Sequence, residues 1–237
     1  MPIAITNPKL LGLEPRWAPF RGVSLVFDPP NDDALLRALR AGVAAMSRDS
    51  LITEHFLRLL PPASYHVTVW DGVNDGKLPE VVPEFRAEWA RFLQAIPTAI
   101  FPDRLFNEIR SSDLCACPDW KLRLRCARIE NWSDVSLVAH LEPSDAAAAE
   151  SLRRLRIARD ALSAAFGNKF GVRPHPDYTP HVTLGYFANA GLAAASAPAV
   201  ARWNDALIRQ TANLVLPLRR VHLSAFSDMT SFGSDPK

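Results

Sequence analysis

His66-Val67-Thr68-Val69 and His181-Val182-Thr183-Leu184 are two copies of one pattern: a histidine and a threonine separated by an aliphatic residue and followed by another. With 6 His and 8 Thr among 237 residues, composition alone supplies roughly 0.2 His-x-Thr triplets, so a pair with matching aliphatic positions is a specific signal. Both copies sit in apolar, β-branched runs, Ser64–Trp70 and His181–Phe187, that read as strands. Successive side chains on a strand point to opposite faces. His66 and Thr68 therefore share one face, with Val67 and Val69 on the other, and His181 and Thr183 are set apart from Val182 and Leu184 in the same way. The aliphatic set can pack under helices while imidazole and hydroxyl face a cavity.

Around these two strands the chain alternates helical and strand patterns. Phe20–Phe27 reads as a strand ended by Asp28-Pro29-Pro30; Asn31 then caps a helix, with Asp32 and Asp33 in its first turn, that buries Leu35, Leu36, Leu39 and Val43 and runs to about Arg48. A short strand is expected near Phe56–Leu60. Pro83 opens a helix whose Phe85, Trp89, Phe92, Leu93 and Ile96 share one face. The middle, 105–142, reads as strand-rich, with Lys121–Arg128 and Ser136–Leu141 as its clearest strands. A long helix is expected from Ser144 to Gly167-Asn168, another over Val200–Thr211, and a last strand over Val215–Phe226, interrupted by Pro217. Several middle strands adjoin without a helix between them. The fold class is therefore α+β, with helices outside mostly antiparallel sheets. No Gly/Ser linker divides the chain, so 1–237 reads as one unit with 1–19 as an N-terminal extension.

Composition narrows the function classes. Charged residues are 22% and the net charge is +2, which argues against a disordered chain and against a protein that coats nucleic acid by charge alone. Small nucleotides or short oligomers fit that balance better than long RNA. No apolar run has membrane-spanning length and no signal-peptide core is present, so a cytoplasmic protein without a membrane association is expected, and no obligate protein partner is inferred. Cys115, Cys117 and Cys126 are odd in number and clustered, a pattern of reduced structural thiols. No P-loop or dinucleotide-binding glycine motif occurs.

Two imidazoles with two hydroxyls suit in-line attack at phosphorus. One neutral imidazole takes a proton from the nucleophile, and the other, protonated, gives one to the leaving oxygen. The hydroxyls of Thr68 and Thr183 can donate to the non-bridging oxygens, whose charge grows toward the transition state. The scheme requires neither a cofactor nor a metal, and a metal site built from His66, His181 and Asp71 matches no standard ligand spacing.

The second copy, Tyr178-Thr179-Pro180-His181-Val182-Thr183-Leu184-Gly185, resembles at each place the pattern of the two-histidine phosphoesterase superfamily, which includes the bacterial 2'-5' RNA ligase type and cyclic nucleotide phosphodiesterases. Val23–Pro30 with its following helix resembles that family's first strand and helix. The resemblance implies a bilobal fold, two antiparallel sheets facing a central groove, and hydrolysis or transesterification of 2',3'-cyclic or 2'-5' phosphodiesters in nucleotides or RNA ends. By position His66 and His181 would be the acid/base pair, and Thr68 and Thr183 the phosphate donors. The sequence departs from the family where Trp70-Asp71-Gly72 follows the first motif. A nucleotide-binding or RNA-binding module using the same groove without turnover is the alternative.

Other residues carry two readings each. Tyr178 can stack on a base or pack beside His181, and Trp70, which continues the His66/Thr68 face, carries the same two readings. Arg123 and Arg125 share a strand face that can meet phosphates or be merely solvated. Arg153, Arg154, Arg156 and Arg159 read as the solvated side of the long helix, and His55, His140, His175 and His222, which lack Thr at +2, as structural histidines.

Overall fold

Both motif strands lie at the middle of one curled antiparallel sheet. The computed structural model describes residues 3–12, 16–30, 32–46, 49–133 and 135–234. In chain order the elements are β1 (Leu10–Leu11), β2 (Arg16–Trp17), β3 (Gly22–Phe27), α1 (Ala34–Ala45), α2 (Ser50–Thr53), β4 (Leu57–Leu59), β5 (Val67–Asn74), α3 (Pro83–Ala95), α4 (Asp103–Arg110), α5 (Asp113–Ala116), β6 (Leu122–Trp132), β7 (Ser136–Pro143), α6 (Ala146–Phe170), β8 (His181–Phe187), α7 (Ala190–Ala195), α8 (Ala197–Thr211), β9 (Leu216–Leu218), β10 (Val221–Asp228) and β11 (Ser231–Ser234). The main sheet runs β11-β10-β3-β5-β8-β7-β6-β9, with β4 added beside β8; β1 and β2 form a separate hairpin. The fold is α+β. The two expected sheets are halves of one, joined through the single register pair Val67↔Val182 between β5 and β8.

One face of this sheet carries the core. Val67, Val69, Val182 and Leu184 are buried there, as the alternation predicts. Across them lies α6, whose buried Leu152, Leu155, Leu162, Phe166 and Phe170 recur at spacings of three, four and seven residues, one helical stripe. Phe166 and Phe170 join Trp89 of α3 and Trp70 in a cluster of edge-to-face rings. The other face carries the histidines, threonines and charges.

Several expectations are corrected. Asn31 lies outside the described residues; Asp33, read as a first-turn acid, is the cap of α1, its Oδ1 accepting from Leu35 N (2.8 Å) and Leu36 N (3.2 Å). The start of the supposed strand-rich middle is helical in α4 and α5. The long helix runs past Gly167 to Phe170 and ends at Gly171, whose φ of 81° is the left-handed cap that glycine adopts freely. The last strand is two: β9 pairs with β6 at one edge, and β10 pairs with β3 in the opposite half. Proline lacks the N–H a continuous ladder needs, and Pro217 sits on the edge strand β9. No described helix is long and apolar enough to cross a membrane.

Candidate active site

The site is built by register. Antiparallel pairing through Val67↔Val182 sets His66 against Thr183 and Thr68 against His181. The two motifs are thus crossed, each histidine facing the other copy's threonine. The row continues outward as Val26↔Thr68 on one side and His181↔His140↔Arg128 on the other.

Each histidine is oriented by the same local device. His66 Nδ1 lies 2.8 Å from Ser64 O, and His181 Nδ1 lies 2.9 Å from Thr179 O, in both cases the carbonyl two residues upstream. A carbonyl only accepts, so Nδ1 carries the hydrogen in each ring. Nε2 is then the ring nitrogen left with the lone pair. Neither Nε2 has a hydrogen-bond partner among the described residues. Burial pushes both histidines below their ordinary pKa. The backbone hydrogen bonds and nearby carboxylates oppose this: Asp28 and Asp71 for His66, and Asp71 for His181. The His66 ring rests on Phe232 at 4.3 Å between centroids, beside a pocket of about 260 Å³ lined by Asp28, Tyr65 and Thr230 among others.

Both motif strands bulge immediately after the threonine. In β5, Thr68 pairs with Val26 and Trp70 with Leu25, so Val69 is the extra residue. In β8, Thr183 pairs with Val138 and Gly185 with Leu137, so Leu184 is extra. Each bulge inverts the alternation beyond it. Trp70 therefore leaves the histidine face, against expectation: it is 1% exposed and packs edge-to-face on Phe166 at 4.8 Å. Asp71 takes the place instead, exposed and accepting from Ser24 Oγ at 3.2 Å. In β8 the corresponding place is Tyr186.

A second correction concerns Arg159. It is 4% exposed rather than solvated. Its Nε donates to Val69 O (3.0 Å), the carbonyl of the bulged residue, while Nη1 and Nη2 donate to Pro176 O (3.2 Å) and His175 O (2.5 Å), just upstream of the second motif. One buried guanidinium thus ties the exit of the first motif to the approach of the second. Tyr178 packs against this guanidinium (5.4 Å), its hydroxyl buried without a hydrogen bond, which gives it the packing role of its two readings.

Arg123 and Arg125 share the histidine face but lie one or two rows along β6, where Arg125 pairs with Glu142 at 2.7 Å on the surface. The β6 residues in the histidine rows are Arg128 and Glu130, which the sequence reading passed over. Arg128 clasps Glu130 through Nε and Nη2 (2.7 and 3.1 Å), and Glu130 Oε1 lies 2.7 Å from Nε2 of His140. His140 is buried with its ring 6.2 Å from that of His181, and burial pulls its pKa down to about 4. Among the described residues no three His, Cys, Asp or Glu side chains are grouped closely enough to hold a metal ion.

No family model and no curated protein matches the chain. Solved structures do. A conserved protein of unknown function from Agrobacterium tumefaciens is similar over 99% of this chain and 92% of its own, with a TM-score of 0.63 at 19% identity. Usb1 from Kluyveromyces marxianus aligns over 92% of this chain and 98% of its own, at 16% identity and a TM-score of 0.45. A phosphoesterase aligns over 92% and 95%, at 12% identity and a TM-score of 0.42. The Agrobacterium likeness is one of fold.

Proposed function

We propose that the chain is a phosphodiesterase that opens 2',3'-cyclic or cleaves 2'-5' phosphodiester bonds of nucleotides or RNA ends, with no step that calls for a metal. One observation carries this reading: two crossed His-x-Thr pairs on adjoining strands, each imidazole tied at Nδ1 and free at Nε2. The free Nε2 atoms suit one proton abstraction and one proton donation across a phosphorus centre, and the two hydroxyls suit its non-bridging oxygens. The sequence resemblance to two-histidine phosphoesterases points the same way. Binding alone would need neither two proton-transfer groups nor two fixed tautomers.

The test is hydrolysis of the four 2',3'-cyclic mononucleotides in excess EDTA, wild type beside His66→Ala and His181→Ala. Turnover in the wild type, reduced at least about a hundredfold in each variant with the fold intact, is the expected result. Near-wild-type rates in either variant would overturn the assignment of roles. Tight nucleotide binding with no turnover on these or on 2'-5' dinucleotides would favour the binding module.

A further inference from the structure

The N-terminal arm, residues 3–12, has little regular structure, yet it is pinned to the end of β8. Thr6 N and Asn7 N donate to Ala188 O (3.0 and 3.1 Å), and Asn189 Nδ2 donates to Ala4 O (2.7 Å). Asn7, 3% exposed, donates from Nδ2 to Phe187 O (3.0 Å) and accepts Lys9 N at Oδ1 (3.1 Å). A buried amide satisfied on both sides fixes the backbone around it.

That backbone delivers Lys9. The Lys9 ammonium lies 3.2 Å from the Tyr186 hydroxyl, 4.4 Å from the Tyr186 ring centre and 5.5 Å from that of Phe20. Its side chain is half-buried, and among the described residues no carboxylate lies within ion-pair distance. His181 feels its charge, which disfavours protonation there. From Phe20 a chain of rings leads through Phe226 (6.3 Å) and Phe232 (5.3 Å) to His66 (4.3 Å). A cation held against apolar walls, with no anion of its own, is a strong local source of field for one. Tyr186 stands three residues beyond Thr183, its backbone roughly 10 Å further along β8, so Lys9 is anchored at the far end of that strand from the Thr68/Thr183 pair.

We propose that Lys9 binds the phosphate adjacent to the scissile one, so that the substrate is the 3' end of an RNA, whose last nucleotide carries phosphate on both sides, rather than a free cyclic mononucleotide. This rests on the phosphodiesterase reading for the identity of the ligand but is tested by binding alone.

The experiment compares nucleoside 3',5'-bisphosphate with nucleoside 3'-monophosphate by calorimetry at fixed ionic strength, on wild type, Lys9→Met and Lys9→Arg. The wild type is expected to prefer the bisphosphate at least about tenfold, Lys9→Met to bring that ratio to within about twofold of one, and Lys9→Arg to retain most of it. Equal wild-type affinities would overturn the proposal. So would a Lys9→Met variant that weakens both ligands by the same factor, since Lys9 would then serve the scissile phosphate. Failure of both ligands to bind would overturn the phosphodiesterase reading along with it. A bisphosphate preference that depends on Lys9 in a protein without turnover would sink that reading and leave the Lys9 site standing. Unchanged thermal unfolding of Lys9→Met checks that the arm stays docked, because the pinning groups are its backbone and Asn7.

Discussion

In β5 the two residues after the bulge are Trp70 and Asp71; in β8 the same two places hold Gly185 and Tyr186. Up to the bulge the copies agree in histidine, threonine, face and Nδ1 tether. Beyond it they differ in what the helix-covered side accepts and in what the open side offers. On the covered side Trp70 fills space against α6, whereas Gly185 leaves room for β4: a Cβ there would lie 2.5 Å from Arg58 O. The freed bulge carbonyls are also satisfied differently, Val69 O by the Arg159 guanidinium and Leu184 O by the backbone N–H of Leu60 (2.9 Å). On the other side Asp71 ends one copy with an exposed carboxylate, and Tyr186 ends the other with a ring buried beneath Lys9 and Trp17, its hydroxyl donating to Met229 Sδ. The matching parts are those that the proposed proton transfer at phosphorus would use. The unmatched parts set a carboxylate, Asp71, at one end of the motif pair and an ammonium, Lys9, at the other.

The sharpest way to break the apparent equivalence of the copies is to remove the need for one of them. A p-nitrophenyl phosphodiester has a leaving group that departs without a proton. On it the variant of the general acid should regain at least about tenfold in kcat/KM relative to its loss on a cyclic nucleotide, and the variant of the base should regain nothing. Equal losses for His66→Ala and His181→Ala on both substrates would show that the two histidines do not divide the work.

The covered side separates the copies by stability, read from chemical denaturation. Trp70→Ala opens a cavity beside Phe166 and should cost about 3–5 kcal/mol. Arg159→Met leaves three carbonyls without their donor and should cost at least about 3 kcal/mol, with a loss of turnover because both motifs are tied to that guanidinium. Gly185→Ala presses a methyl onto the β4 backbone and should cost about 1–3 kcal/mol. A Gly185→Ala variant as stable as wild type would show that β4 is free to move away and that the two strands are less alike than their registers.

These differences mark where the sequence was readable. The faces of His66, Thr68, His181 and Thr183 and the strand over His181–Phe187 follow from period-two alternation, a local property, and the α+β class from strands that adjoin without a helix between them. A bulge after each threonine is not written in that period: Val69 and Leu184 are ordinary strand residues, and the insertion shows only in pairing with Leu25–Val26 and Leu137–Val138. Reading straight through it sends Trp70 to the wrong face and hides Asp71 and Tyr186. Arg159 was within reach, because it stands four residues after Leu155 and three before Leu162, on the buried stripe of α6; charge alone argued it outward. His140, Glu130 and Arg128 meet His181 through long-range register that no local pattern carries.

The smallest expected effect assigns the histidines to their roles. Burial lowers both, so the two limbs of the kcat/KM profile, which report the free enzyme, should fall below pH 6.5 and centre the bell on the acid side of that value. Asp71 raises both, so Asp71→Asn should move both limbs further toward acid with the maximum rate nearly kept. Asp28 acts on His66 and is not among the groups acting on His181; Asp28→Asn should therefore move one limb. A base must be deprotonated to act, so its ionisation sets the acidic limb, and the acid's sets the alkaline one. If the acidic limb moves, His66 is the base; if the alkaline limb moves, it is the acid. A profile in which Asp71→Asn shifts a single limb would mean that the carboxylate is not shared between the copies, and that the negative end of the site belongs to one histidine.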